Sequence, residues 1–202
     1  MKKIILIILL LLLTGCQKYN DLNDLAIIKS IGISHNNQYT LYALVIEEIE
    51  KDNNPITKMY ETNGNNINEL FNNIKKIINK EIYFAHIDLL LLDFNLNKND
   101  YLTLINYFFN NNSFRNDFSV VLANDIKKVL LSTKYNEIES LLETNKESKE
   151  IIKISFEDLA KNILEKKELC LSEIVYDNEI HFNNNYCFKN NKLERINYDQ
   201  EN

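Results

Sequence analysis

The sequence predicts an α+β fold (mixed α/β): a mixed β-sheet with helices packed on it and β-hairpins near both ends. Two patterns carry that reading. Segments near both termini read as pairs of strands joined by short turns, while the middle interleaves helical i, i+3, i+4, i+7 spacings with short apolar runs. Apolar residues make up 45% and charged residues 26%, so the chain can bury a proper core. No internal repeat is visible, and one domain over 16–202 accounts for everything after the leader.

Taken in order, Leu25–Ile33 and Gln38–Ile49 read as two strands joined by Ser34-His35-Asn36-Asn37. Residues 50–57 form a polar loop holding Pro55, and Lys58–Thr62 reads as a third strand. Asn66 can cap a helix with Glu69 three residues on, and Ile67, Leu70, Phe71, Ile74, Ile77 and Ile78 give it one apolar face. The long apolar run Ile82–Leu92 reads as a single central strand buried on both faces, with His86 a hydrogen-bonded core histidine. Tyr101, Leu104, Ile105, Phe108 and Phe109 return to helical spacing, and Phe118–Ala123 is a strand. Two short helices follow, near Asp125–Leu131 and Asn136–Glu143, then a solvated charged loop over Thr144–Glu150. Ser155 can cap a helix with core residues Phe156, Leu159, Ala160, Ile163 and Leu164. Glu179–Phe188 and Lys192–Ile196 close the chain as a hairpin turned by Lys189-Asn190-Asn191.

Residues 1–15 read as a signal peptide. Met1-Lys2-Lys3 is a basic start, and the apolar run Ile4–Leu13, at about 1.5 Å per residue, covers roughly half of a ~30 Å hydrocarbon core. Leu13-Thr14-Gly15-Cys16 is a bacterial lipobox: a large aliphatic residue, two small ones, then cysteine. It predicts cleavage between Gly15 and Cys16 and a diacylglyceryl group on the Cys16 thiol, a two-chain anchor that holds a protein on a bilayer where one chain does not. The expected location is the outer face of a cell membrane. Cys170 and Cys187 remain. An oxidising compartment permits their pairing, but both have apolar flanks that suit buried free thiols, so the sequence leaves the matter open.

Several chemistries are excluded. The formal charge is −6, from 23 basic and 29 acidic residues without a basic stripe, so nucleic acid is not an expected partner. Gly15, Gly32 and Gly64 are too scattered for a phosphate-cradling loop. His35, His86 and His181 are far apart, no G-x-S-x-G elbow exists, and Glu47-Glu48-Ile49-Glu50 lacks the glycine-centred spacing of a calcium loop. No catalytic residue, metal ligand or cofactor is expected. Arg115, the only arginine besides Arg195, reads chiefly as a residue that pins its turn through carbonyl groups, with docking as its functional reading.

The lipobox cysteine followed by Asp21-Leu22-Asn23-Asp24-Leu25-Ala26-Ile27-Ile28 and Ile31-Gly32-Ile33 resembles the opening of the spore-germination receptor C-subunit lipoproteins, the Ger(x)C family. Ile82 to Leu92, with His86, resembles that family's histidine-bearing buried strand. Phe108 to Phe118 resembles the segment in which an arginine precedes the next strand, and Asn185 to Leu193, with Phe188, resembles its late hairpin. The chain departs from the family in lacking a tryptophan after the lipidated cysteine, in carrying Asn184 or Asn185 where a glycine is expected, and in matching only the N-terminal domain of longer proteins. Asp24, Gly32, His86, Arg115 and Phe188 are the family-motif positions, all read as structural.

The resemblance implies a non-catalytic lipoprotein subunit of a nutrient germinant receptor at the spore inner membrane. Its implied partners are polytopic membrane subunits, one of them permease-like. The competing readings are a lipid-anchored protein that binds a small ligand, a tethered hydrolase, and a germination domain repurposed in a bacterium that makes no spores.

Overall fold

The computed structural model describes residues 25–49, 55–132, 137–144, 151–189 and 192–196. The leader, Gly15, Cys16, Asp24, the segments 50–54 and 145–150, and Asn190-Asn191 lie outside the described residues. Among the described residues no helix is long and apolar enough to cross a membrane.

β1 (Leu25–Asn36) and β2 (Gln38–Ile49) form the first hairpin. Their ladder runs on through Ser34, His35 and Asn36, which the sequence reading had placed in the turn, and Asn37 alone reverses the chain at φ 67°. Asparagine tolerates that left-handed conformation better than most residues. β3 (Pro55–Gly64) starts three residues earlier than expected. It is the outer strand of the sheet, where a proline's missing N–H costs no ladder bond. α1 (Ile67–Ile77) begins as its cap signal predicts, with the Asn66 side chain accepting from the Glu69 N–H. The Glu69 carboxylate, however, accepts from the Asn65 N–H at 2.8 Å.

The run 82–92 is not one strand. It divides into β4 (Glu81–Tyr83) and β5 (Leu89–Leu92), both parallel to β1, with residues 84–88 turning out between them. The physical reason lies in the side chains. Phe84 and Ile87 tuck into the core, and the polar residues His86 and Asp88 are turned away from it. His86 is therefore exposed, its ring 5.3 Å from that of Tyr83, and the expected core histidine is corrected.

Then follow α2 (Lys98–Phe109), β6 (Ser119–Leu122), α3 (Ile126–Ser132), α4 (Glu137–Thr144), β7 (Ile154–Ser155) and α5 (Phe156–Leu164). β8 (Cys170–Tyr176), β9 (Ile180–Lys189) and β10 (Lys192–Arg195) end the sheet. Its order is β10-β9-β8-β6-β5-β1-β2-β3, parallel through β8, β6, β5 and β1 and antiparallel outside them. α1, α2 and α5 cover one face around Phe71, Tyr101, Phe108 and Phe156, and α3 and α4 cover the other around Ile126, Leu130, Ile138 and Leu142. Phe109 and Leu164, both expected in the core, are 46% and 66% exposed. Each is the last residue of its helix, beyond the reach of the opposing layer.

β8 was not read from the sequence, because Ser172 and Glu173 interrupt its apolar pattern. Its register against β9 sets Cys170 opposite Cys187, and the two form a disulfide, which decides the pairing the sequence left open. The closed loop is short, with a sequence separation of 17, which limits the entropic stabilisation to about 3 kcal/mol. Addition of a reductant is expected to lower the melting temperature by about 6–12 °C in a thermal scan, with no loss of far-ultraviolet circular dichroism at 25 °C.

A second polar cluster sits where α2 meets the first hairpin. Asn97 and Asp100 form a reciprocal capping box, and the Tyr39 hydroxyl donates to Asp100 at 2.5 Å. Burial, then the hydrogen bond to Asp100 and its charge, push the Tyr39 phenol up to about 12. Tyr101 is fully buried, its hydroxyl has no hydrogen-bond partner among the described residues, and burial together with Asp93 and Asp100 pushes it further up. Below the ordinary tyrosine value of 10.0 both phenols are neutral, folded or unfolded. Above it the unfolded chain ionises first, so stability falls as pH rises from 10 to 12. Tyr101→Phe is expected to raise stability by about 1 kcal/mol, since it removes an unpaired buried hydroxyl. It should also move the alkaline transition, followed by tyrosinate absorbance and circular dichroism together, to higher pH.

Candidate functional site

The interruption between β4 and β5 coincides with an irregularity in β1, where the register against β2 shifts between Ile28 and Ser30. Bulges re-aim side chains, and this one carries Lys29. The Asp88 N–H donates to the Lys29 carbonyl at 2.9 Å, the Ser119 N–H donates to the Asp88 carbonyl at 2.9 Å, and the Lys29 ammonium pairs with the Asp88 carboxylate. The lysine side chain is only 12% exposed, while that of Asp88 is 36% exposed, so the pair is withdrawn from water on the lysine side.

One loop along, Phe114 and Phe118 are buried on either side of Arg115, Asn116 and Asp117. Phe114 lies 4.6 Å from Phe108, and Phe118 lies 4.9 Å from Phe156, ring centre to ring centre. Backbone bonds from Phe156 to the Phe118 carbonyl and from Glu157 to the Asn116 carbonyl complete the anchorage. The turn is thus held by aromatic packing and backbone bonds, and Arg115 pairs with the Asp117 carboxylate, not with carbonyl groups. The carbonyl bonds expected of it are thus replaced by a carboxylate pair within the turn, and its side chain is 60% exposed.

These two pairs meet in one cleft of about 360 Å³ at the amino ends of β5 and β6. Lys153 lies on its wall, with Ser30 and Ser119 between the charges and Leu44, Ile138 and Leu142 behind them. The cleft presents three cations and two carboxylates, an arrangement suited to a charged partner surface of mixed sign. The parallel strands β1, β5, β6 and β8 stand side by side in chain order, with β2 and β3 on the other side of β1.

The other sequence-selected positions are elsewhere. Gly32 is in β1 beneath α3, where a Cβ would meet Ile126 Cγ2 at 2.1 Å. Phe188 is in β9, with its ring 5.0 Å from that of Tyr101. His35 stacks on Tyr39 at 4.1 Å, and His181 lies 3.4 Å from Asp177, so the three histidines do not converge. Glu168, Cys170 and Cys187 bring donor atoms within 4.8 Å of one another. With both sulfurs in the disulfide, neither is the thiolate that ligates a metal. Sequence reasoning missed Lys29, Asp88, Asp117 and Lys153; the break of alternation at Ala85-His86 and Asp88 was the available signal.

Residues 18–176 match the family model described as the spore germination protein N-terminal domain. This chain belongs to that family. It is similar to spore germination protein KC of Bacillus subtilis (strain 168), with 27% identity over 188 residues. The aligned region covers 80% of this chain and 46% of the relative, so the chain spans about half the length of the curated relative it matches. No solved structure matches the chain. The family domain takes in the whole cleft, from Lys29 to Lys153, and stops at the end of β8, so Phe188 and the disulfide partner Cys187 lie beyond its end.

Proposed function

We propose that this chain is a non-catalytic subunit of a nutrient germinant receptor, anchored through Cys16 to the outer face of the spore inner membrane and docked on polytopic membrane subunits. The observation that carries the reading is the match of residues 18–176 to the spore germination N-terminal domain. The lipobox Leu13-Thr14-Gly15-Cys16 supports the anchor, and the mixed-charge cleft around Arg115 supports docking over catalysis. Rim charges of this kind steer and orient a partner more than they add affinity.

Nutrient-triggered release of dipicolinic acid tests the proposal in three strains: parent, deletion and Cys16→Ala. Loss of release in both mutants is the expected result. Normal release in both, in a strain with no second receptor for that nutrient, would sink the receptor reading. Mild detergent extraction tests the docking separately, since a docked subunit co-purifies with a polytopic protein.

A further inference from the structure

Two lysines occupy positions where the local backbone disfavours them, and both border the same hollow. Lys98 is the first residue of α2, at the positive end of the helix dipole, where an acidic residue is favourable and a cation is not. Lys166 follows the end of α5 at φ 57°, in the left-handed conformation that glycine adopts without strain. Among the described residues neither has a carboxylate partner, whereas neighbouring Lys167 pairs with Glu165 at 2.5 Å. Violations of local preference that share one location mark a site where another demand has won.

The hollow between them has a volume of about 400 Å³, in the range of small-molecule sites. Tyr101, Ile163, Leu169 and Phe188 make its apolar wall, and Lys98, Lys166 and Lys167 its cationic rim, with Glu168 the one acid. In a chain of formal charge −6, this is a local excess of positive charge over an apolar surface. We propose that it binds a soluble organic anion with an apolar body, the ring or chain lying against Phe188 and Leu169 and the anionic group between Lys98 and Lys166. The site is distinct from the Arg115 cleft and stands apart from the docking proposal.

The test uses the whole chain in nanodiscs of zwitterionic lipid, titrated calorimetrically with 2-naphthoate, with empty discs as the blank. Saturable binding is expected, and the uncharged 2-naphthalenemethanol should bind about tenfold more weakly, a difference of ~1.4 kcal/mol. The variants Lys98→Glu and Lys166→Gly separate binding from folding. Each is expected to raise the melting temperature by a few degrees, by satisfying the dipole and the left-handed turn respectively. Each should also weaken 2-naphthoate about tenfold. Absence of saturable heat up to about 5 mM overturns the proposal, as does equal binding of the alcohol or unchanged affinity in both variants. Displacement of 2-naphthoate by phosphatidylglycerol in the disc overturns the soluble-ligand assignment and gives the site to a lipid headgroup.

Discussion

Gly32→Val is expected to lower the unfolding free energy by about 3 kcal/mol, at the upper end of overpacking costs. A Cβ at this position would sit 2.1 Å from Ile126 Cγ2 and 3.5 Å from Leu130 Cδ1, so α3 must move off the sheet to admit it. Valine's preference for strands does not offset this, because the clash lies between layers and not within the ladder. The Ile126 methyl is short and close to its backbone, and it cannot swing aside as the end of a long side chain would. Urea unfolding followed by circular dichroism measures the loss. Ile126→Ala in the same chain should restore about half of it, since the two substitutions act on one contact. A Gly32→Val protein as stable as the parent would show that α3 does not pack as described.

The second large effect is expected at Glu173, which is 2% exposed. Its carboxylate accepts from Asn124 Nδ2 at 3.0 Å, Asn183 Nδ2 at 3.1 Å, Asn184 Nδ2 at 3.3 Å and the Tyr186 hydroxyl at 3.4 Å. It also stands at the join of the sheet, because Leu122↔Glu173 is the register pair that ties β8 to β6. Glu173→Leu removes the acceptor that β9 and the segment after β6 share. Hydrogen bonds to a charged group are each worth about 1.5–3 kcal/mol. Asn124 and Asn183 are exposed and regain water, so the net expectation is about 3 kcal/mol of lost stability. Glu173→Gln should cost less, since an amide keeps one oxygen and Asn124 can turn its own oxygen toward the new N–H₂. If hydrogen exchange is followed residue by residue, the loss should appear first in β8, β9 and β10, the part of the sheet joined through this residue.

The elements legible in the sequence are those whose determinants lie within a few residues of one another. The α1 face and its Asn66 cap, the α5 cap at Ser155, and the hairpins at 25–49 and 180–195 all came from local spacing and local hydrogen bonding. The failures have a common cause. Ile82–Leu92 is apolar enough for one strand, yet packing draws in both Phe84 and Ile87 and leaves His86 outside, an outcome that depends on neighbours far along the chain. β8 was hidden by a glutamate that belongs inside only because asparagines from two other segments meet it. The disulfide was undecided for the same reason, since without β8 there is no register to set Cys170 against Cys187.

The candidate cleft follows this division. Arg115 was conspicuous as one of two arginines, but its partner Asp117 and the pair Lys29–Asp88 became a site only through the break between β4 and β5 and the irregularity in β1. By itself the sequence determined the mixed α and β composition, the helix faces and the family, because these are written in short-range patterns of side-chain size and polarity. Only the tertiary structure decided which charges share a cleft, which glutamate is buried and which sulfurs are joined. Those are relations between residues on different elements of the sheet, and the free energy that selects them exists only once the sheet has brought them together.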